Sequence, residues 1–157
     1  MRSFIFFVVC CAALIQFSGA QTVVPRDRDG LLKGEGMGLA SSAELNGYPG
    51  PKHVIQLRDE LGLTLDQLRK AEALMEGVQA SAKVIGQQVI DEEGSLENLF
   101  QSGSPDERKV QSSLQEIGRL RADLRFLHLQ AHLRMKEVLT PEQIQKYNKV
   151  RGHRADG

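Results

Sequence analysis

Past its first turn of sequence this chain has no cysteine: its only two, Cys10 and Cys11, lie side by side in the apolar run that opens it. Disulfides and thiolate metal clusters are therefore excluded from everything downstream. Tryptophan is absent and aromatics make up only 5% of the residues, so a core must be built from Leu, Ile, Val, Ala and Met. Neither charge is in surplus, since Lys+Arg and Asp+Glu both number 20. That balance gives no general pull toward nucleic acid or an anionic membrane. The longest apolar run, residues 4–17, is short of the roughly 20 residues a membrane span needs. Signatures of catalysis are missing too. There is no serine-nucleophile elbow, no P-loop and no dinucleotide fingerprint, and Gly34-x-Gly36-x-Gly38 has no strand before it. The expectation is a protein that is not an enzyme.

What is present starts with an export signal. Arg2, the apolar stretch and the small residues Ser18-Gly19-Ala20 have the order of a secretory signal peptide, with cleavage before Gln21. An uncleaved anchor is the alternative. An exported chain without disulfides draws its stability from packing or assembly. The 157 residues suffice for one domain. Its expected divisions are a signal peptide over 1–20, a flexible Gly-rich arm over 21–50, a helical hairpin over 51–152 and a disordered tail over 153–157. The arm holds glycines at 30, 34, 36, 38, 47 and 50, which cost backbone entropy and offer little to bury.

The hairpin domain reads as all-α, with four helices. A first helix spans 51–61, with Pro51 in its first turn and Gly62 past its end. A second runs over 65–100, where Leu68, Ala71, Met75, Val78, Ala82, Ile85 and Val89 step by threes and fours, and Gly94 is tolerated inside it. Ser102-Gly103-Ser104-Pro105 makes the turn, with Ser104 as the cap. The third helix carries Val110, Leu114, Ile117, Leu120, Leu124, Leu127, Ala131, Met135 and Val138, and so lies antiparallel to the second. The fourth runs over 141–150. Two corners echo each other: Leu63-Thr64-Leu65-Asp66-Gln67 and Leu139-Thr140-Pro141-Glu142-Gln143. In each, Thr64 or Thr140 caps, and Gln67 or Gln143 completes a capping box. A hairpin brings both corners to one end. Its remaining apolar length needs a second layer, most simply a second copy of the chain, so a homodimer is expected.

The candidate site is a histidine pair. His128 and His132 are four apart and share a helix face, a spacing that lets two imidazoles hold one Zn, Ni or Cu ion. Met135 falls close to that face and suits a soft ion. His53, Glu60 or Glu72 could supply a further ligand from the same end. The plain alternative is that both histidines border the apolar stripe and satisfy backbone or carboxylate partners. The zincin motif is excluded, because no glutamate stands between the histidines.

With its two Leu-Thr-x-x-Gln corners, the chain resembles the Spy/CpxP-type periplasmic proteins, which include refolding chaperones, zinc-resistance-associated proteins and periplasmic heavy-metal sensors. Several stretches are similar to the heavy-metal-resistance branch in particular. They are Gly36-Met37-Gly38-Leu39-Ala40, then Ala43-Glu44-Leu45-Asn46-Gly47-Tyr48-Pro49-Gly50-Pro51 with His53, and His128-Leu129-x-x-His132-Leu133. The closing residues 147–152 fit as well. The resemblance implies a hooked hairpin that dimerises into a curved cradle in the bacterial periplasm. It also implies one of two roles, holding unfolded envelope proteins or binding a transition metal. A metal-sensing or regulatory partnership with a membrane-bound envelope signalling protein is the alternative role.

Overall fold

The computed structural model describes residues 25–152; the expected signal peptide and tail lie outside them. Every regular element among the described residues is helical, in the order α1 (Arg28–Lys33), α2 (Ser41–Glu44), α3 (Pro51–Gln56), α4 (Arg58–Leu61), α5 (Leu65–Gln101), α6 (Glu107–Val138) and α7 (Pro141–Arg151). The all-α hairpin expected from the apolar spacing is the frame: α5 and α6 pack along each other over most of their length. At 1.5 Å per residue these rods are about 55 and 48 Å long. Gly94 sits inside α5 without ending it.

Three details differ from the four-helix expectation. The first helix is jogged at Leu57, whose backbone leaves helical geometry (φ −100°, ψ 20°). The jog is not a loop, since Leu57 N–H still donates to the His53 carbonyl at 3.0 Å and Leu61 N–H to the Leu57 carbonyl at 2.8 Å. The cap of α6 is Asp106, not Ser104. Asp106 Oδ1 accepts from the backbone N–H groups of Arg108 (2.8 Å) and Lys109 (3.3 Å). A carboxylate is the better cap here because it also meets the positive end of a 32-residue helix.

The third difference is the arm. From Pro25 onward it is packed against the hairpin. Leu31 of α1 is only 1% exposed and joins Ala82, Val89, Leu120 and Leu124 in one apolar cluster. It reaches them because α5 offers a shallow groove of small residues. A β-carbon at Gly86 would stand 2.5 Å from the Leu31 carbonyl oxygen, so the two backbones touch there. Arg121 of α6 fastens the front of the arm, donating to Asp27 at 2.7 Å and to Glu93 of α5 at 3.1 Å. Glycine content suggests a flexible arm, and at Leu31 that arm is nevertheless seated in a matching groove.

The second cluster lies at the other end, where Val54, Leu61, Ala71, Met135, Leu139 and Tyr147 bury one another. Both Leu-Thr-x-x-Gln corners are here, and each forms the full capping box. The glutamines do more than cap. Gln67 Nε2 donates to Gln143 Oε1 at 2.8 Å, and Gln143 Nε2 donates back to Gln67 Oε1 at 3.0 Å. Gln67 Nε2 also meets the Val138 carbonyl that closes α6 (3.0 Å). Each amide thus accepts from its own threonine's backbone and donates across to the other corner. A glutamate could cap but could not donate, which gives a physical reason for glutamine at both places.

Candidate metal site

His128 and His132 stand one turn apart on α6, as their spacing requires, and both are 9% exposed. They wall a cavity of about 640 Å³ between the hairpin and the arm. Met75, Val78 and Gln79 of α5 form the facing wall. The roof is the arm, from Gly34 to Ser41 and again from Gly50 to His53. The roof fits closely because it is glycine where it crosses the rings. A β-carbon at Gly50 would lie 2.7 Å from His132 Cε1, and one at Gly36 would lie 3.7 Å from His128 Nδ1.

The hydrogen bonds set the donor atoms. His132 Nδ1 is 2.8 Å from the Tyr48 carbonyl. A carbonyl only accepts, so Nδ1 carries a proton, and in the neutral ring Nε2 is the nitrogen with the lone pair. This is the outer-shell arrangement that orients a ligating imidazole. His128 Nε2 is buried with no hydrogen-bond partner. Burial, and then the neighbouring His132, hold the His128 imidazole below the ordinary histidine range, which favours the neutral ring with a lone pair.

The other sequence candidates are placed differently. His53 does line the cavity, but both its ring nitrogens are engaged: Nδ1 lies 3.0 Å from Gln56 Oε1 and Nε2 lies 3.0 Å from Glu44 Oε1. The Arg151 guanidinium, itself 2.7 Å from Glu44, comes within 3.5 Å of that Nε2 and would repel a cation. Met135 is fully buried in the apolar cluster around Tyr147 and is not part of the cavity wall. Glu60 and Glu72 are exposed and lie outside it. Sequence spacing passed over two thioethers that do line it, Met75 and Met37. Met75 was hidden in the apolar stripe of α5. Met37, in the arm, has a positive φ of 44°, a conformation unusual for a residue with a β-carbon.

The residues fit a metal ion of low coordination number. An orphaned buried imidazole nitrogen beside a second one of fixed tautomer is a donor pair. They do not fit a tetrahedral structural zinc, because no group of three His, Cys, Asp or Glu side chains converges among the described residues.

The chain is thus a helical hairpin closed at one end, with an imidazole pair walling a roofed cavity. Residues 36–146 match the heavy-metal resistance family. The match covers most of the chain, including the roof from Gly36 onward, both histidines and both corners, and the protein belongs to that family. No curated protein and no solved structure matches it. Membership in this family suggests a role in heavy-metal resistance. Among the described residues no helix is long and apolar enough to cross a membrane.

Proposed function

We propose that the protein is a non-enzymatic heavy-metal-tolerance protein of the periplasm that captures a transition-metal ion through His128 and His132. The observation that carries this reading is the buried Nε2 of His128, left without a partner beside a His132 whose own Nε2 is kept free by the Tyr48 carbonyl. A buried polar atom without a partner costs about 1–3 kcal/mol, so its retention favours a missing ligand over a packing role. The signal-like N-terminus and the family match support the location and the metal class. A bound ion would supply a cross-link between α6 and whatever else ligates it, and would stabilise the folded chain by mass action. The test is calorimetric titration of the metal-free protein, purified after expression of the full chain, with Zn, Ni and Cu. Saturable binding at micromolar affinity or tighter is expected for at least one ion, lost in the His128→Ala/His132→Ala variant. No binding by the natural protein makes the histidines structural and sinks the reading.

A second activity, holding partly unfolded polypeptide as a homodimer, rests on a different observation. The far end of the hairpin is bare: no residue from 91 to 112 is buried, and Phe100 and Leu114 are more than half exposed. Apolar surface of this kind suits a second subunit or a promiscuous client. The two activities are compatible on one chain, since the metal cavity and the bare tip lie at different places along it.

A further inference from the structure

We propose that the ion is a soft monovalent one, Cu(I) or Ag(I), and that Met75 supplies a thioether as the third donor beside His128 and His132. This rests on the reading of the cavity as a metal site and narrows what that site takes.

The argument proceeds from the donors the cavity wall offers. Two are imidazoles, each with a nitrogen to spare. The carboxylates are not available for a third. Glu44 is held by His53 and Arg151, and Glu35 is exposed at the rim. No third nitrogen, thiolate or carboxylate converges with the pair among the described residues. What remains on the wall is sulfur. Of the two methionines there, Met37 has its Sδ laid against Gly30, where it fills the space a β-carbon would take. Met75 is the better placed. It is half-buried on α5, and Ala131, between the two histidines, lines the same cavity from α6. Ala71 and Met135 share one apolar cluster and Ala82 and Leu124 the other, and along the antiparallel helices Met75 and Ala131 both fall between these pairs and both line the cavity.

Charge and softness agree with that donor set. A divalent ion in a half-buried site with only neutral donors keeps its full charge away from water and gains no anionic ligand. The desolvation cost rises with the square of the charge, so a monovalent ion is far less penalised. Thioether sulfur selects soft ions over Zn and Ni, and two or three ligands satisfy Cu(I), whereas zinc sites want four.

The experiment measures Cu(I) affinity by competition with a chromophoric chelator, under reducing conditions, on protein purified after expression of the full chain. Zn and Ni are titrated beside it, and the copper-loaded protein is examined by X-ray absorption. Expected are tighter binding of Cu(I) than of Zn or Ni and a sulfur scatterer beside nitrogen. Met75→Leu keeps the volume and the helix. It should remove the sulfur and weaken Cu(I) by at least about tenfold, while Met37→Leu does neither. Circular dichroism confirms that both variants fold. A nitrogen-only shell, unchanged in Met75→Leu, overturns the thioether but leaves the histidine site standing. Zn or Ni bound as tightly as Cu(I) overturns the soft-ion assignment. Loss of sulfur in Met37→Leu instead moves the donor to the arm and overturns the choice of Met75. Failure of the natural protein to bind any of the ions sinks the metal reading itself.

Discussion

The two ends of the hairpin are built from the same two helices and behave as different materials. At the closed end, α3, α4 and α7 crowd around the corners, and Val54, Met135 and Tyr147 lose all contact with solvent. At the open end the same helices run on to their turn, and no residue from 91 to 112 is fully buried. Both stretches carry apolar residues in helical phase. The difference therefore comes from partners, not from the helices: a two-rod layer holds a core only where something folds back on it.

The comparison can be broken most severely by truncating one side chain at each end. Met135→Ala should cost about 2–5 kcal/mol in denaturant unfolding, whereas Phe100→Ala should change the stability of the isolated chain by less than about 0.5 kcal/mol. If Phe100 works at an interface, its loss shows elsewhere, as weaker self-association in sedimentation and poorer suppression of client aggregation. A large, concentration-dependent loss of stability in Phe100→Ala would mean that the open end is covered in solution.

Glycines on α5 sharpen the same contrast with opposite signs. Gly86 lies under the Leu31 backbone, and Gly94, beyond the arm, has nothing within 4 Å of its would-be β-carbon. Gly86→Ala is expected to destabilise by about 1–3 kcal/mol, with the arm becoming sensitive to protease. Gly94→Ala is expected to stabilise by up to about 1 kcal/mol through helix propensity alone. Equal effects at the two positions would show that the arm does not hold to α5.

The smallest effect lies in the clasp that fastens the arm. The Arg121 guanidinium holds the Asp27 carboxyl below its usual range, chiefly through their hydrogen bond. A lowered folded-state value means that the contribution is present above the ordinary carboxylate range near pH 4 and fades as pH falls through the folded value below it. Asp27 is partly exposed, so the pair is worth under about 1 kcal/mol. Asp27→Asn should remove that increment at neutral pH and flatten the acid limb of a stability profile, read by unfolding at a series of pH values.

The features legible from the amino-acid order are those decided within a few residues. The capping boxes at Thr64 and Thr140, the left-handed Gly62 and the two long apolar stripes are local, and they appear where the spacing puts them. The arm was illegible because Leu31 and Leu32 stand alike in a stretch of glycines and charges; the burial of Leu31 depends on Ala82, Gly86 and Val89, some fifty residues on. Ser104 was the cap expected before α6, and the backbone geometry places that role on Asp106 instead. The site was half legible. The spacing of His128 and His132 put them on one face, but Met135 and Met75 are equivalent as stripe residues. Which of them meets the core and which the cavity is settled by α3, α7 and the arm. The expected signal peptide and tail lie outside the described residues.

The glutamine pair that joins the two corners also sets an order of events. Gln67 and Gln143 are 76 positions apart, and the core around them mixes residues 54, 61 and 71 with 135, 139 and 147. A chain delivered from its N-terminus thus has no closed core at this end until its last helix arrives, because the early residues there wait for late ones. Such long-range closure slows folding. The half of the chain made first therefore stays unclosed at this end until the half made last folds onto it.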